Sequence, residues 1–356
     1  MDPILTDDAR RVITALGPLN QRFAGKSILL TGAAGFLGSH FIHYFLALND
    51  SSLADKPCRL IAWDNFSRGT PPWLEKMPPR PDLVRQTRDI TQKNAIPPVD
   101  FIIHAASIAS PIFYRKHPIE TMDANVMGLR HLLDAAMARP VESFLFFSTS
   151  EIYGDPDSAS IPTPETYRGN VSCTGPRSCY DESKRYGETL CVNFCKIHRV
   201  PVKIVRPFNN YGPGLKISDR RVLPDLFRDA LAGRNLVLLS DGLATRTFCY
   251  ISDAMNGYLR ALLSPHEGEP FNIGADQPEI SMRDLAAMVI QVTGRPLCVE
   301  HRQSDDPKYL TDNPQRRCPS LEKSRRLLAY EPRVSLQAGL GLMHQYYLAN
   351  PSAEDK

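Results

Sequence analysis

The segment Thr31-Gly32-Ala33-Ala34-Gly35-Phe36-Leu37-Gly38 limits what this chain can fold into more than any other. It follows a short β-rich run, Lys26–Thr31, and opens a helical run, Phe36–Leu48. A strand that turns through glycines into a helix gathers free backbone N–H groups at one point. Without Cβ atoms in the way, a pyrophosphate can approach the main chain, and the helix N-terminus adds partial positive charge. Gly-x-x-Gly-x-x-Gly is a relative of the dinucleotide fingerprint. Three glycines at turns are common, so the neighbouring segments decide its meaning.

Those segments alternate. Apolar runs recur at Arg59–Trp63, Asp100–His104 and Ser143–Ser148, with helical stretches between them, notably Asp123–Ala138. Runs that are apolar throughout, separated by helices, predict an α/β fold: a Rossmann-type doubly wound parallel sheet covered on both faces. Arg177–His198 reads as a further helix and Val202–Val205 as a further strand. After residue 210 loops lengthen and proline is frequent, with helices predicted near Val222–Ala232, Asp253–Leu263, Met282–Thr293 and Leu321–Ala329. The chain of 356 residues has room for about two domains. The expected division is a helical extension over 1–25, a dinucleotide-binding domain over 26–210 with a return segment near 247–263, and a smaller α/β substrate domain over 211–350. In the extension, Leu5, Ala9, Val12, Ile13 and Leu16 recur at helical spacing, with Thr6 or Asp7 as the expected cap.

Composition excludes several partners. Net charge is +3, from 42 basic and 39 acidic residues, so neither a basic nucleic-acid face nor a polybasic membrane signal is indicated. No apolar run approaches the ~20 residues needed to span a bilayer. Met1–Arg11 is charged rather than apolar, so no secretory signal is expected. The eight cysteines contain no C-x-x-C pair and read as reduced thiols of a cytoplasmic protein, with no disulfide framework and no metal site. Cys179, beside Tyr180, reads as a small packing residue in preference to a reactive thiol.

Asp64 closes the second strand, where a carboxylate can accept both hydroxyls of an adenosine ribose and repel a 2′-phosphate. That favours NAD over NADP, with Arg68 close enough in sequence to weaken the preference. Asp89, Ile90, Ala105, Ala106 and Ser107 fall at strand ends, where open α/β sheets bind ligands. With Gly32, Gly35, Phe36, Leu37, Gly38, Asp64 and Asn65 they make the candidate cofactor set.

Tyr180 and Lys184, four apart on a helix, share one face. A free phenol, with a pKa near ~10, is a poor base at neutrality. A neighbouring ammonium and a positive nicotinamide ring stabilise phenolate, so Tyr180 can take the proton of a sugar hydroxyl as hydride leaves to NAD. Lys184 also suits the nicotinamide ribose, which places both residues in the cofactor set. Ser148-Thr149-Ser150-Glu151 ends the Ser143–Ser148 run. Thr149 and Ser150 offer hydroxyls to the reacting sugar or to Tyr180, and Glu151 reads as a substrate-positioning acid or base in preference to a helix-cap partner.

Gly32–Gly38, Asp64-Asn65, Ser148–Tyr153 and Tyr180–Lys184 together resemble the extended short-chain dehydrogenases, which include sugar-nucleotide epimerases, 4,6-dehydratases and decarboxylases. Over roughly residues 26–345 the chain is most similar to the UDP-glucuronate decarboxylases, or UDP-xylose synthases. The finer likeness lies in Ala109-Ser110-Pro111-x-x-Tyr114, Gly175–Glu182 with Lys184-Arg185, Arg206–Pro213 and Thr245–Asp253. The resemblance implies that Thr149, Tyr180 and Lys184 act at C4 and that Glu151 sits near C5. It places Ser110 and Tyr114 near the uronate carboxylate, Asn209 and Arg246 at the diphosphate, and Arg221 and Arg316 in the wider substrate site. It implies C4 oxidation of a UDP-linked sugar to a β-keto acid, loss of carbon dioxide and re-reduction, in a homodimer built by helices around Asp123–Ala138 and Tyr180–His198. Ser150 stands where 4,6-dehydratases carry the Asp that serves the leaving C6 hydroxyl, so elimination of water is not supported. A 4-epimerase is the alternative. A non-catalytic NAD-binding regulator would have lost Tyr or Lys, and both are present. The chain departs from the family pattern at Gly214–Arg221, at Asp305–Arg317 and in its amino-terminal extension.

Overall fold

The computed structural model describes residues 2–306 and 310–351, so part of the 305–317 stretch, at 307–309, lies outside the described residues. Its centre is a seven-stranded parallel sheet. Six strands are β1 (Ser27–Thr31), β2 (Arg59–Asp64), β3 (Leu83–Thr87), β4 (Phe101–His104), β5 (Ser143–Phe147) and β6 (Val202–Pro207). The edge strand Pro270–Ile273 completes it, and the order is Pro270–Ile273, β6, β5, β4, β1, β2, β3. β1 therefore pairs with β2 on one side, Leu29 opposite Ile61, and with β4 on the other, Leu29 opposite Ile102. The winding reverses at β1, and the crevice beyond the carboxyl ends of β1 and β4 is where such sheets bind ligands.

Alternation along the strands sorts side chains onto the two faces. Leu29, Ile61, Ile102, Phe144, Phe146 and Ile204 face α6 (Leu129–Ala138) and α7 (Ser178–His198), which bury Leu129, Leu132, Leu133, Cys191 and Phe194 against them. Ile28, Leu30, Leu60, Ile103, Leu145 and Val205 face the opposite way. There they meet α2 (Phe36–Asn49) and α9 (Ile251–Leu263). β3 is absent from the apolar runs of the sequence because it lies at the sheet edge, with Val84 and Gln86 only half-buried and Arg85 and Thr87 more open. The segment after residue 250 stays on the main sheet longer than 247–263, because α9 leads directly into Pro270–Ile273, which pairs with β6.

The amino-terminal helix α1 (Pro3–Leu16) packs on α2 and α9, burying Leu5, Asp8, Ala9, Val12 and Leu16. Its cap is Asp2, not Thr6 or Asp7: the Asp2 carboxylate accepts from Ile4 N at 2.8 Å and Leu5 N at 3.3 Å. Pro3 at the first helical position needs no N–H partner, which moves the start earlier than apolar spacing indicates.

The other helices are α3 (Pro72–Glu75), α4 (Pro111–Lys116), α5 (Pro118–Asp123), α8 (Val222–Leu231), α10 (Met282–Thr293), α11 (Glu322–Leu328) and α12 (Leu336–Ala349). A wide π-helical turn over Ala124–Gly128 joins α5 to α6. The carboxy-terminal part adds small two- and three-stranded sheets, one of which sets Arg316–Arg317 parallel to Thr245–Arg246. No helix among the described residues is long and apolar enough to cross a membrane, no His, Cys, Asp and Glu group among them suits a metal ion, and none of the eight cysteines is disulfide-bonded.

Candidate active site

The glycine loop is a cradle that side chains would fill. A Cβ on Gly38 would sit 2.1 Å from Gly32 O, and one on Gly32 would sit 2.7 Å from the Ala105 carbonyl group. Gly32 also has φ 72°, a conformation that favours glycine. Gly35 precedes α2 without a side-chain cap, so the helix start keeps N–H groups for an anion. Asp64 accepts from Ala34 N at 2.9 Å and from Phe66 N at 2.7 Å, which ties the end of β2 to this loop. Asp89 accepts from Thr91 N and Oγ1, and Ser107 donates to Asn125, which in turn donates to Ser183 of α7. Ala105 and Ala106 follow β4 at the crevice, and Ile90 packs on Gly128. A glycine cradle, an uncapped helix start and an acid at the end of β2 fit a dinucleotide such as NAD. Arg68 is turned elsewhere: it pairs with Asp219 at 3.3 Å and lies 4.0 Å over the Phe113 ring.

Tyr180 and Lys184 lie one turn apart on α7 and are both nearly fully buried. Lys184 Nζ donates to Phe147 O at 2.7 Å and stands 5.9 Å from the Tyr180 ring centroid. Burial pushes the Lys184 ammonium down to about 7. Burial also raises the Tyr180 phenol, with Glu151 and Asp181 adding to it and the Thr149 hydrogen bond and Arg221 opposing. The expected lowering by Lys184 is not what the protein groups produce: burial outweighs the Thr149 hydrogen bond and Arg221, and Lys184 is not among the main influences on this phenol. Thr149 additionally caps the turn Ser150–Tyr153, accepting from Glu151 N at 3.2 Å. Ser150 is buried in that turn. Tyr114 stacks on Tyr180, centroids 5.0 Å apart and planes 5° from parallel.

Glu151 is the centre of a buried charge cluster. Oε2 accepts from Arg177 and Oε1 from Arg317. Burial alone would raise this carboxyl; Arg177, Arg317 and Arg246 bring it down to about 2. Glu151 is therefore an ionised group that fixes charge and orientation in the site, not an acid that donates a proton. Asp181, with its carboxylate 3.8 Å from Arg177 Nε, is pushed the other way, to about 7, by burial and then by Glu151.

The remaining candidates divide. Arg246 donates to the carbonyls of Thr245, Gln315 and Pro314 and to Asn313 Oδ1, so it holds the 313–315 turn. Asn209, at φ 38°, donates to Thr247 O. Ser110 donates to the Asp219 carbonyl at 2.8 Å, and the Asp219 carboxylate pairs with Arg221, which is near enough to Tyr180 to act on it. Arg316 points out of the site and pairs with Glu279 at 2.7 Å. The next residue, Arg317, points in. A two-residue strand sends neighbours to opposite faces, and sequence alone does not say which arginine is inside. Arg177 was legible in principle: three before Tyr180, it lies on the same side of the helix start. Cys179 is half-buried, its thiol raised by burial and aimed at the Tyr114 carbonyl, so it is not activated.

The family model for the NAD dependent epimerase/dehydratase family matches residues 28–274. The chain is 38% identical over 330 residues to UDP-glucuronic acid decarboxylase 5 of Arabidopsis thaliana, covering 92% of this chain and 91% of that one. Among solved structures it is similar to the dTDP-glucose 4,6-dehydratase DesIV from Streptomyces venezuelae with NAD bound. There the TM-score is 0.80 at 26% identity, over 93% of this chain and 100% of that one. It is also similar to UDP-glucuronic acid 4-epimerase from Bacillus cereus in complex with UDP-glucuronic acid and NAD. There the TM-score is 0.74 at 27% identity, over 91% and 99% of the two chains.

Proposed function

The chain belongs to the NAD dependent epimerase/dehydratase family, and from that premise we propose that it is an NAD-dependent decarboxylase converting UDP-glucuronate to UDP-xylose. The observation that carries this reading is the arginine-rich cluster beside Tyr180. Arg177, Arg246 and Arg317 surround the single fully ionised carboxylate of Glu151. A buried cluster with surplus positive charge suits a substrate that brings a carboxylate of its own. Decarboxylases in Arabidopsis, at 38% identity over most of the chain, support the same chemistry.

Bound NAD supplies the acceptor and donor of hydride and a positive ring. Gly32, Gly35, Phe36, Leu37 and Gly38 would hold its pyrophosphate, Asp64 and Asn65 its adenosine ribose, and Asp89, Ile90, Ala105, Ala106 and Ser107 its flanks. The engagement of Arg68 by Asp219 supports NAD over NADP. Tyr180 removes the C4 hydroxyl proton, positioned by the Thr149 hydroxyl, and Lys184 orders the same end of the crevice. The C4 ketone makes the sugar a β-keto acid, whose carboxylate leaves as carbon dioxide as its electrons pass into an enolate; C5 then takes a proton from water, which restores the C4 ketone. Glu151, with Ser150 beside it in the turn, faces C5, and its negative charge orients Arg317 toward the departing group. Tyr114 and Ser110 shape the carboxylate end, and Asn209, Arg221 and Arg246 the nucleotide end. Tyr180 returns its proton as C4 is reduced.

The enzyme acts as a homodimer in the cytoplasm in this reading. Ile119, Met122, Met127, Met137, Tyr186 and Ile197 are exposed apolar residues of the α5–α6 and α7 segments, where two subunits would pair helices. Incubation of purified protein with UDP-glucuronate tests the reading: carbon dioxide and UDP-xylose are expected, whereas UDP-galacturonate would make the protein a 4-epimerase.

A further inference from the structure

We propose that Arg177 is the positioning residue of Glu151, fixing the orientation and the charge of that carboxylate from the cap of the helix that carries Tyr180. This rests on the reading of Glu151 as a group that faces the sugar. Arg177 stands immediately before α7, with Tyr180 three and Asp181 four residues on. Its Nη2 donates to Glu151 Oε2, and its Nε lies 3.8 Å from Asp181 Oδ2. Glu151 Oε1 is taken by Arg317, on a strand that belongs to the carboxy-terminal part. Two cations on different elements thus hold the two oxygens, and the plane of the carboxylate is set by both.

Arg177 is the one of the two that is tied to the catalytic helix. It shares that helix start with Tyr180, so the spacing between the phenol and the guanidinium that holds the carboxylate is set within one turn. Asp181 restrains the guanidinium from behind without a short hydrogen bond, and Arg177 Nε and Asp181 Oδ1 have no further partner among the described residues. Around Glu151 the charged and titratable groups are Arg177 and Asp181 from α7, Arg317 and Arg246 from the paired short strands, and Tyr114 and Tyr180 from α4 and α7. Asp312 acts on Asp181 from the adjoining loop. Arg177 is the largest of the influences that keep Glu151 ionised against its burial. Loss of Arg177 leaves Glu151 with Arg317 alone as a hydrogen-bond donor and removes the largest influence against its burial, so its carboxyl rises.

The test uses full-length enzyme with NAD, labelled with 13C at glutamate side-chain carboxyls, the Glu151 resonance being assigned by its loss in Glu151→Gln. In the wild type Glu151 stays ionised from pH 7 down to pH about 4. In Arg177→Gln it titrates inside that window, the acid limb of kcat moves to higher pH, and kcat on UDP-glucuronate falls by about 10–100-fold with little change in KM. Arg177→Lys restores ionisation and part of kcat, since it returns the charge without the planar fork. Arg177→Gln added to Glu151→Gln, which removes both charges and spares the fold an unpaired one, lowers kcat no further. A Glu151 resonance unmoved by Arg177→Gln, an unchanged kcat, or a further multiplicative loss in the double variant would each overturn the proposal. Wild-type enzyme that releases no carbon dioxide would instead count against the decarboxylase reading, while the carboxyl titration would still report on Arg177.

Discussion

In the proposed reaction Tyr180 serves the C4 hydroxyl and Arg317 the carboxylate, and each role makes a separable prediction. Tyr180→Phe keeps the ring that stacks on Tyr114 and loses only the hydroxyl. Turnover is expected to fall by about 10²–10⁴-fold with NAD binding retained, checked by steady-state kinetics and by NAD titration. Preserved turnover would remove Tyr180 from its role. The neighbouring arginines are a sharper contrast. Arg317→Ala strips Glu151 of one of its two partners, and loss of at least about 100-fold in turnover is expected, as for other groups that stabilise charge in a buried site. Arg316→Ala breaks only an exposed pair with Glu279 and should leave activity within about threefold. At this scale the sequence was legible where a motif fixes the spacing, as with Tyr180 and Lys184. It was not legible where the deciding fact is which of two adjacent arginines turns inward, or how burial outweighs a nearby charge at Tyr180.

Between secondary-structure elements, the glycine loop and α1 show what local sequence can and cannot set. Gly38→Ala would press a methyl group onto Gly32 O, 2.1 Å from the ideal Cβ position. The variant should lose NAD affinity by more than about tenfold and melt at lower temperature, measured by titration and by thermal unfolding. In α1, Asp8 is 2% exposed and accepts from Tyr250 OH at 2.8 Å, and burial lifts its carboxyl to about 7 despite that bond and Arg11. A carboxyl raised on folding binds its proton more tightly in the native state, so its stabilising share is complete below pH ~4 and is lost as pH rises through about 7. Asp8→Asn removes the titration. It should stabilise the protein at pH 8 by about 1–3 kcal/mol and flatten the melting temperature between pH 5 and 8. A wild-type melting temperature that does not fall across that range would contradict the burial argument. The apolar spacing of Leu5, Ala9, Val12 and Leu16 announces the helix, but the buried acid among them becomes visible only when Tyr250, far along the chain, is seen to reach it. β3 escaped for a different reason: an edge strand is half-solvated, and its alternating polar residues do not form an apolar run.

As a whole molecule, the parallel sheet reverses its winding beside β1, so the segments that follow β1, β2, β4 and β5, with the glycine loop, Asp64, Ala105 and Thr149, lie along the same edge of the sheet. That architecture was readable from alternating apolar and helical runs. The closing of the cluster by Arg317 from the carboxy-terminal part was not, since it depends on a pairing between Arg316–Arg317 and Thr245–Arg246 across a long loop. The exposed apolar residues on α5, α6 and α7 predict a dimer at micromolar concentration by light scattering, and a monomer there would contradict the helix-pairing proposal. The central claim is tested most directly by mass spectrometry of the sugar nucleotide after UDP-glucuronate is incubated with enzyme and NAD. A product lighter by one carbon dioxide and co-eluting with UDP-xylose is the expected result. A product of unchanged mass at a new retention time, or substrate recovered intact, would contradict it.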